Sequence, residues 1–154
     1  MSTIYQNIIN RLITNHIEYA CIEHAPVFTS QEARKLLNHK IEEGTKSLVL
    51  KSKNKIVIVT VTENEKVDFK QVQTIINEKQ VQMLNVNELF EKIGVGIGAV
   101  APFGYDIDVI LLVSKTLFNQ ENIYINPGVN NVTIKLSGQA FKNIIDLENG
   151  IYIN

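Results

Sequence analysis

Three features of this chain could do chemistry: Lys46, where a polar loop becomes a strand; His24, in the turn Glu23-His24-Ala25-Pro26-Val27-Phe28; and the backbone of Gly94-Val95-Gly96-Ile97-Gly98-Ala99-Val100-Ala101-Pro102-Phe103-Gly104. That loop carries four glycines and a proline in eleven residues, with no charge. A solvated linker would be rich in Ser, Asn, Glu or Lys, so the loop is expected either as a pocket wall or as a tight turn buried between core elements. Glycines permit positive φ and let another group approach the main chain closely. Successive N–H groups in such a turn form a concave donor surface suited to a carbonyl or an anion. Lysine supplies a fixed cation, although most lysines are simply solvated surface charges. His24 is a candidate for proton transfer, with a structural role in its turn as the commoner alternative. Cys21, the one cysteine, lies in an apolar run and is expected to be a buried free thiol rather than a nucleophile.

Gly96-x-Gly98-x-x-Ala101 also fits the loose dinucleotide-binding pattern, which needs a strand before it and a helix opening at its third small residue. Here Val86 to Ile93 reads as helix, and Pro102 keeps Ala101 out of the helical region. A dinucleotide site is therefore not expected.

The positioning elements follow from the apolar spacing. Residues 3–15 place Ile4, Ile8 and Leu12 on one helical face, with Ser2 or Thr3 as the cap. Tyr19–Glu23 reads as a strand, and Thr29-x-x-Glu32 as a capping box opening a helix to about Asn38. Lys46–Lys51 and Ile56–Val61, joined by Ser52-Lys53-Asn54-Lys55, read as a hairpin. A helix follows Asp68 to about Glu78, then a short strand at Val81–Leu84. Asp108–Ser114 is almost continuously apolar, as in a strand covered on both faces. Strands at Asn122–Asn126 and Val132–Leu136 and a helix over Gln139–Leu147 complete the pattern. The sum is an α/β (α+β) chain: residues 1–154 as a single domain, with a mixed, largely antiparallel, curved sheet partly wrapped by helices.

The chain has 154 residues, 45% hydrophobic and 20% charged, with a formal net charge of −1. One core is expected to bury about 70% of the unfolded surface. Near-neutral charge argues against bulk attraction to a phosphate backbone. The apolar runs are too short to span a bilayer, and the first residues show no continuous apolar targeting segment. A cytoplasmic location without membrane contact is expected. His16, His24 and His39 lack the close pairing of a zinc site, so no metal and no cofactor is expected.

In order and spacing, five pieces resemble one family: Glu23-His24-Ala25-Pro26-Val27-Phe28-Thr29; Gly44-Thr45-Lys46-Ser47-Leu48; Lys66-Val67-Asp68; the Gly94–Gly104 loop; and Ile123-Tyr124-Ile125-Asn126-Pro127-Gly128-Val129-Asn130-Asn131-Val132-Thr133. They look like the YbaK/ProX-type aminoacyl-tRNA deacylases, relatives of the editing domain of bacterial prolyl-tRNA synthetases, over about residues 18–140. The resemblance implies the family's mixed α/β fold. It also implies trans-editing, the hydrolysis of the ester joining a wrong, small amino acid to the 3′ end of a tRNA, with tRNA-Pro as the candidate tRNA and a synthetase as a candidate partner. It places the pocket lysine at Lys46 and the motif glycine at Gly98, with Phe28, Tyr19, Ser47, Ala99, Pro102 and Asn126 as substrate-binding positions. Such an ester is already activated and needs no covalent nucleophile. N–H groups near Gly98 could meet the oxyanion, and Lys46 could hold the carbonyl or the terminal ribose and phosphate region. A protonated lysine is a poor base, so the substrate's own ribose hydroxyl is expected to help position or activate the water.

This chain departs from the family pattern in four places. Many relatives carry Gly-Ser-x-(Ser or Thr)-Pro, where this chain has Gly98-Ala99-Val100-Ala101-Pro102, without the hydroxyls. Alanine-specific relatives tend to have Asn after the lysine and His before the later proline, where this chain has Ser47 and Asn126. Ala99, Ala101 and Asn126 motivate an alternative: a catalytically weakened module of the same fold that binds an aminoacyl-adenosine-like ligand or a protein partner. A general small-ester hydrolase is a third reading.

Overall fold

The computed structural model describes residues 3–96 and 98–154. Helix α1 (Thr3–Thr14) buries Ile4, Ile8 and Leu12, the stripe its spacing requires. Each fully buried side chain of this kind stabilises the fold by about 1.5–3 kcal/mol. Thr3 is already helical, and the Ser2 cap lies outside the described residues. Strand β1 (Ala20–Glu23) leads into the Pro26 bend and helix α2 (Ser30–Leu37). Thr29 caps α2, accepting from the Glu32 N–H at 3.0 Å. Asn38 ends it in the left-handed conformation, which a short polar side chain tolerates.

Strands β2 (Thr45–Lys51) and β3 (Ile56–Thr62) form the expected antiparallel hairpin. Asp68 caps helix α3 (Phe69–Ile76), and strand β4 (Gln82–Met83) pairs with β2. Helix α4 (Val86–Glu88) widens into a π turn over Leu89–Ile93, closed where the Gly94 N–H donates to Leu89 and Phe90 carbonyls at 3.0 Å each. After the glycine loop come β5 (Ile110–Ser114), a 3-10 turn at Lys115–Asn119, β6 (Ile123–Ile125) and β7 (Val132–Leu136). Helix α5 (Gly138–Leu147) and strand β8 (Ile151–Ile153) follow.

The pairing is mixed and largely antiparallel, as expected, but it is divided between two sheets. One is antiparallel, in the order β1-β7-β6; the other runs β4-β2-β3-β5-β8, with β5 parallel to both β3 and β8. They meet at a bridge between Gly44 and Tyr124, where the Thr45 hydroxyl donates to the Tyr124 carbonyl at 2.9 Å. Strand β8 was not read from the sequence, because three residues carry too little pattern to register.

Strand β5 explains its own composition. Leu111 and Val113 join a core with α1, α5 and the β6–β7 face, whereas Leu112 joins a second core with α3 and the alternate residues of β3. Both faces are covered, so the strand is apolar throughout. Cys21, expected to be buried, is instead exposed. Its strand β1 is an edge strand of the smaller sheet, and the thiol lies 4.0 Å from the Tyr5 hydroxyl.

Tyr105 pins the far end of the glycine loop. Its hydroxyl donates to the Ala101 carbonyl at 2.6 Å and accepts from the Ala101 N–H at 3.1 Å. Burial pushes the phenol well above the ordinary tyrosine range, with the bond to Ala101 pulling the other way. Tyr105→Phe would leave the buried Ala101 N–H unpaired and should cost about 1–3 kcal/mol at neutral pH. Above about pH 10 the wild-type unfolded chain gains from ionising this tyrosine, whereas the folded chain does not. Wild-type stability therefore falls with rising pH through this group, and the gap to Y105F should narrow. Denaturant melts of both proteins at pH 7 and pH 10.5 check it.

Candidate functional site

The cleft at the seam between the two sheets has a volume of about 290 Å³. Five parts of the chain build it: the Val27–Ser30 bend with the start of α2, His39 beyond the end of α2, the Gly44–Leu48 stretch, Gly98 and Val100 of the glycine loop, and the Tyr124–Thr133 turn. Hydrogen bonds from the His24 N–H to the Asn131 carbonyl, 3.0 Å, and from the Val27 N–H to the Asn130 carbonyl, 2.9 Å, tie the first segment to the last. The Pro26 bend presents Phe28 half-exposed at the wall.

Gly98 has φ of +73°, and a Cβ built on it would lie 2.3 Å from the Phe28 carbonyl oxygen. Only glycine permits this approach of two main chains. Asn126 locks the arrangement: its Nδ2 donates to the Gly98 carbonyl at 2.7 Å, while its Oδ1 accepts from the Gly128 N–H at 2.7 Å. The Ala99 N–H is taken by the Gly96 carbonyl at 3.2 Å and the Ala101 N–H by Tyr105. The Gly98 N–H has no acceptor among the described residues.

Lys46 lines the cleft, and its side chain has no ion-pair or hydrogen-bond partner among the described residues. It is also the only Lys, Arg, Asp or Glu in the described cleft wall. A cation without a countercharge suits an anion or a polarised carbonyl. Ser47 lines the cleft too, but its hydroxyl is engaged with Thr60 at 2.7 Å.

Five expected site residues thus meet in one cleft: Lys46, Gly98, Phe28, Ser47 and Asn126. Three do not line it. Tyr19 packs against the main core, Ala99 is a member of that core, and Pro102 is buried behind the loop. Alternation along the loop turns Gly98 and Val100 to the cleft and Ala99 and Ala101 to the core.

His39 and Tyr124, which sequence reasoning did not single out, stack in the wall with ring centroids 4.1 Å apart and planes 10° from parallel. No local signal joins them, since they lie on separate segments. His24 is not in the wall but behind it, where its Nε2 lies 2.8 Å from the hydroxyl of Thr133, a cleft residue. Among the described residues no cluster of three or more His, Cys, Asp or Glu side chains is placed to hold a metal ion.

The family model for the aminoacyl-tRNA editing domain matches residues 24–144, which include every segment of this cleft. The chain therefore belongs to the aminoacyl-tRNA editing domain family, and it is an aminoacyl-tRNA deacylase. It is 26% identical over 146 residues to the prolyl-tRNA editing protein ProX of Acetoanaerobium sticklandii, covering 91% of this chain and 89% of that one. A stretch of 80 residues is 30% identical to the proline–tRNA ligase of Thermosipho africanus, covering 52% of this chain and 14% of the ligase. Among solved structures, one provisionally assigned as a trans-editing enzyme for prolyl-tRNA synthetase superposes with a TM-score of 0.81. The two are 16% identical, with 100% of this chain and 97% of that one covered. At that identity the likeness shows the fold, and the expected α+β editing fold is the one observed.

Gly98→Ala should destabilise the protein by about 1–3 kcal/mol, the usual cost of overpacking, because the Phe28 backbone must move aside. Asn126→Ala should cost about 1 kcal/mol for each bond lost. Thermal melts check both, and a wild-type melt for G98A would mean that the two main chains are not in contact.

Proposed function

We propose that the whole chain is one editing domain that hydrolyses the ester of a small amino acid wrongly joined to the 3′ end of a tRNA, with tRNA-Pro the first candidate. The observation that carries this reading is the unpaired Lys46 in the same cleft as the Gly98 main chain. A relative named as a prolyl-tRNA editing protein and matches to proline–tRNA ligases support the choice of tRNA. The protein would act in the cytoplasm, where charged tRNA is used, and a synthetase could present the substrate to this near-neutral chain. No described helix is long and apolar enough to cross a membrane.

In this reading Lys46 anchors the ester carbonyl or the adjoining ribose as a fixed charge. Water adds to the carbonyl carbon, and the oxyanion that forms is met by the Gly98 N–H. Collapse breaks the bond to the ribose oxygen, which leaves with a proton, and the free amino acid departs. The ribose hydroxyl next to the ester is the nearest group to orient the water. Phe28 and the aliphatic wall limit the size of the side chain admitted. Discrimination per methylene is only about 10–200-fold in a synthetase pocket, so a second, hydrolytic site has a purpose.

The missing loop hydroxyls do not argue for a merely binding module, because positions 99 and 101 are buried in the core. Asn126 serves the loop rather than the ligand in this account, and Ser47 serves Thr60.

A panel of mischarged tRNAs, Ala-tRNA(Pro) and Cys-tRNA(Pro) included, tests the proposal. Wild type should release one small amino acid, and Lys46→Ala should lower the rate by at least about 100-fold, the scale of a lost electrostatic contact in a transition state. Full activity in K46A would remove Lys46 from the mechanism. No release from any of the panel would turn the reading toward a ligand-binding module.

A further inference from the structure

Resting on that reading, an aminoacyl ester also brings a free α-ammonium, a pure hydrogen-bond donor, into a cleft whose described wall contains no carboxylate. A neutral acceptor must receive it, and that acceptor must stand away from the Lys46 cation. His24 and Thr133 make one. The His24 Nδ1 lies 2.8 Å from the Ala25 carbonyl oxygen, which can only accept, so Nδ1 carries the proton. In the neutral imidazole Nε2 is then a bare acceptor, and the Thr133 hydroxyl, 2.8 Å away, must donate to it. With its proton committed, the Thr133 oxygen can offer only lone pairs to a ligand.

Three of the other cleft hydroxyls, those of Thr29, Ser47 and Thr45, are placed differently. Thr29 is used by the cap of α2, accepting from the Glu32 N–H and donating to the Glu32 carboxylate. Ser47 is engaged with Thr60. Thr45 also donates away, to Tyr124, but it is the residue next to Lys46, where a second cation is repelled. Thr133 is on β7 of the smaller sheet, while Lys46 is on β2 of the larger one, and its side chain is largely withdrawn from water, with 6% of the residue exposed. An acceptor in such surroundings binds a charged donor more strongly than one in bulk water.

We propose that Thr133, oriented by His24, is the acceptor for the α-ammonium of the aminoacyl group, so that the cleft selects esters with a free amine over N-acylated ones. His24 is on this account a positioning residue: it touches no substrate and fixes which way the Thr133 hydroxyl points. The ammonium and the ester carbonyl then engage opposite walls, Thr133 on one sheet and Lys46 on the other, which sets the direction in which the amino acid lies.

The experiment is calorimetric binding of 3′-alanylamino-3′-deoxyadenosine, a non-hydrolysable amide, and of its N-acetyl derivative. Wild type, Thr133→Val, Thr133→Ser and His24→Ala are compared, with deacylation of Ala-tRNA(Pro) and N-acetyl-Ala-tRNA(Pro) in parallel. Wild type should prefer the free amine by about 10-fold or more, the scale of a hydrogen bond to a charged group. T133V, equal in shape, should lose that preference by binding the amine more weakly while binding the N-acetyl compound as before. T133S should keep the preference, and H24A should reduce it. In deacylation the T133V defect should fall on KM for the free-amine substrate. The inference is overturned if wild type shows no preference, if T133V retains it, or if T133V weakens both ligands equally, which a purely structural role would produce. Absence of deacylation with the amine preference intact would instead sink the catalytic reading and leave the acceptor standing.

Discussion

The contact on which the cleft depends is one of main chain with main chain. Gly98 sits so close to the Phe28 carbonyl that no β-carbon fits between them. Two segments seventy residues apart are thereby held as opposite lips of one opening. The approach is possible because Gly98 adopts a positive φ, and it persists because Asn126 grips the Gly98 carbonyl while Tyr105 grips Ala101. The bend at Pro26 is in turn stitched to the Asn130-Asn131 turn. Remove the glycine and each of these bonds must find new geometry.

Around that contact the two sheets divide the work. The larger sheet has apolar clusters on both faces, which makes it a rigid support for Lys46 at the start of β2. The smaller sheet carries Tyr124, Asn126 and Thr133 in or just beyond its strands. The seam at Gly44 and Tyr124 brings a cation from one sheet and neutral acceptors from the other into one cleft. An aminoacyl ester has one end that calls for a cation and another that is itself cationic. A cleft with charge on a single wall can hold both ends without placing like charges together.

The missing hydroxyls of the glycine loop illustrate how a motif can mislead without its fold. In sequence, Ala99 and Ala101 look like losses from a binding site. In space they are core residues, and the cleft is served by the intervening Gly98 and Val100. Likewise Asn126 looks like an altered substrate contact but is bonded at both ends of its amide to the backbone.

Local patterns in the sequence were enough for most elements: the stripe of α1, the Thr29 cap, the β2–β3 hairpin and the two-faced β5. Each depends on side chains within a few residues of one another. The order of motifs identified the family and brought Lys46, Gly98, Phe28, Ser47 and Asn126 to notice. What sequence missed or misplaced depends on segments meeting from far apart. Those are the split into two sheets, the β8 edge, the exposure of Cys21, the His39–Tyr124 stack, and the withdrawal of Tyr19, Ala99 and Pro102 from the cleft. The proton direction between His24 and Thr133 belongs with them, because it is set by a carbonyl on one segment and a hydroxyl 109 positions away. Periodicity records which face of an element is apolar; only packing decides what that face meets.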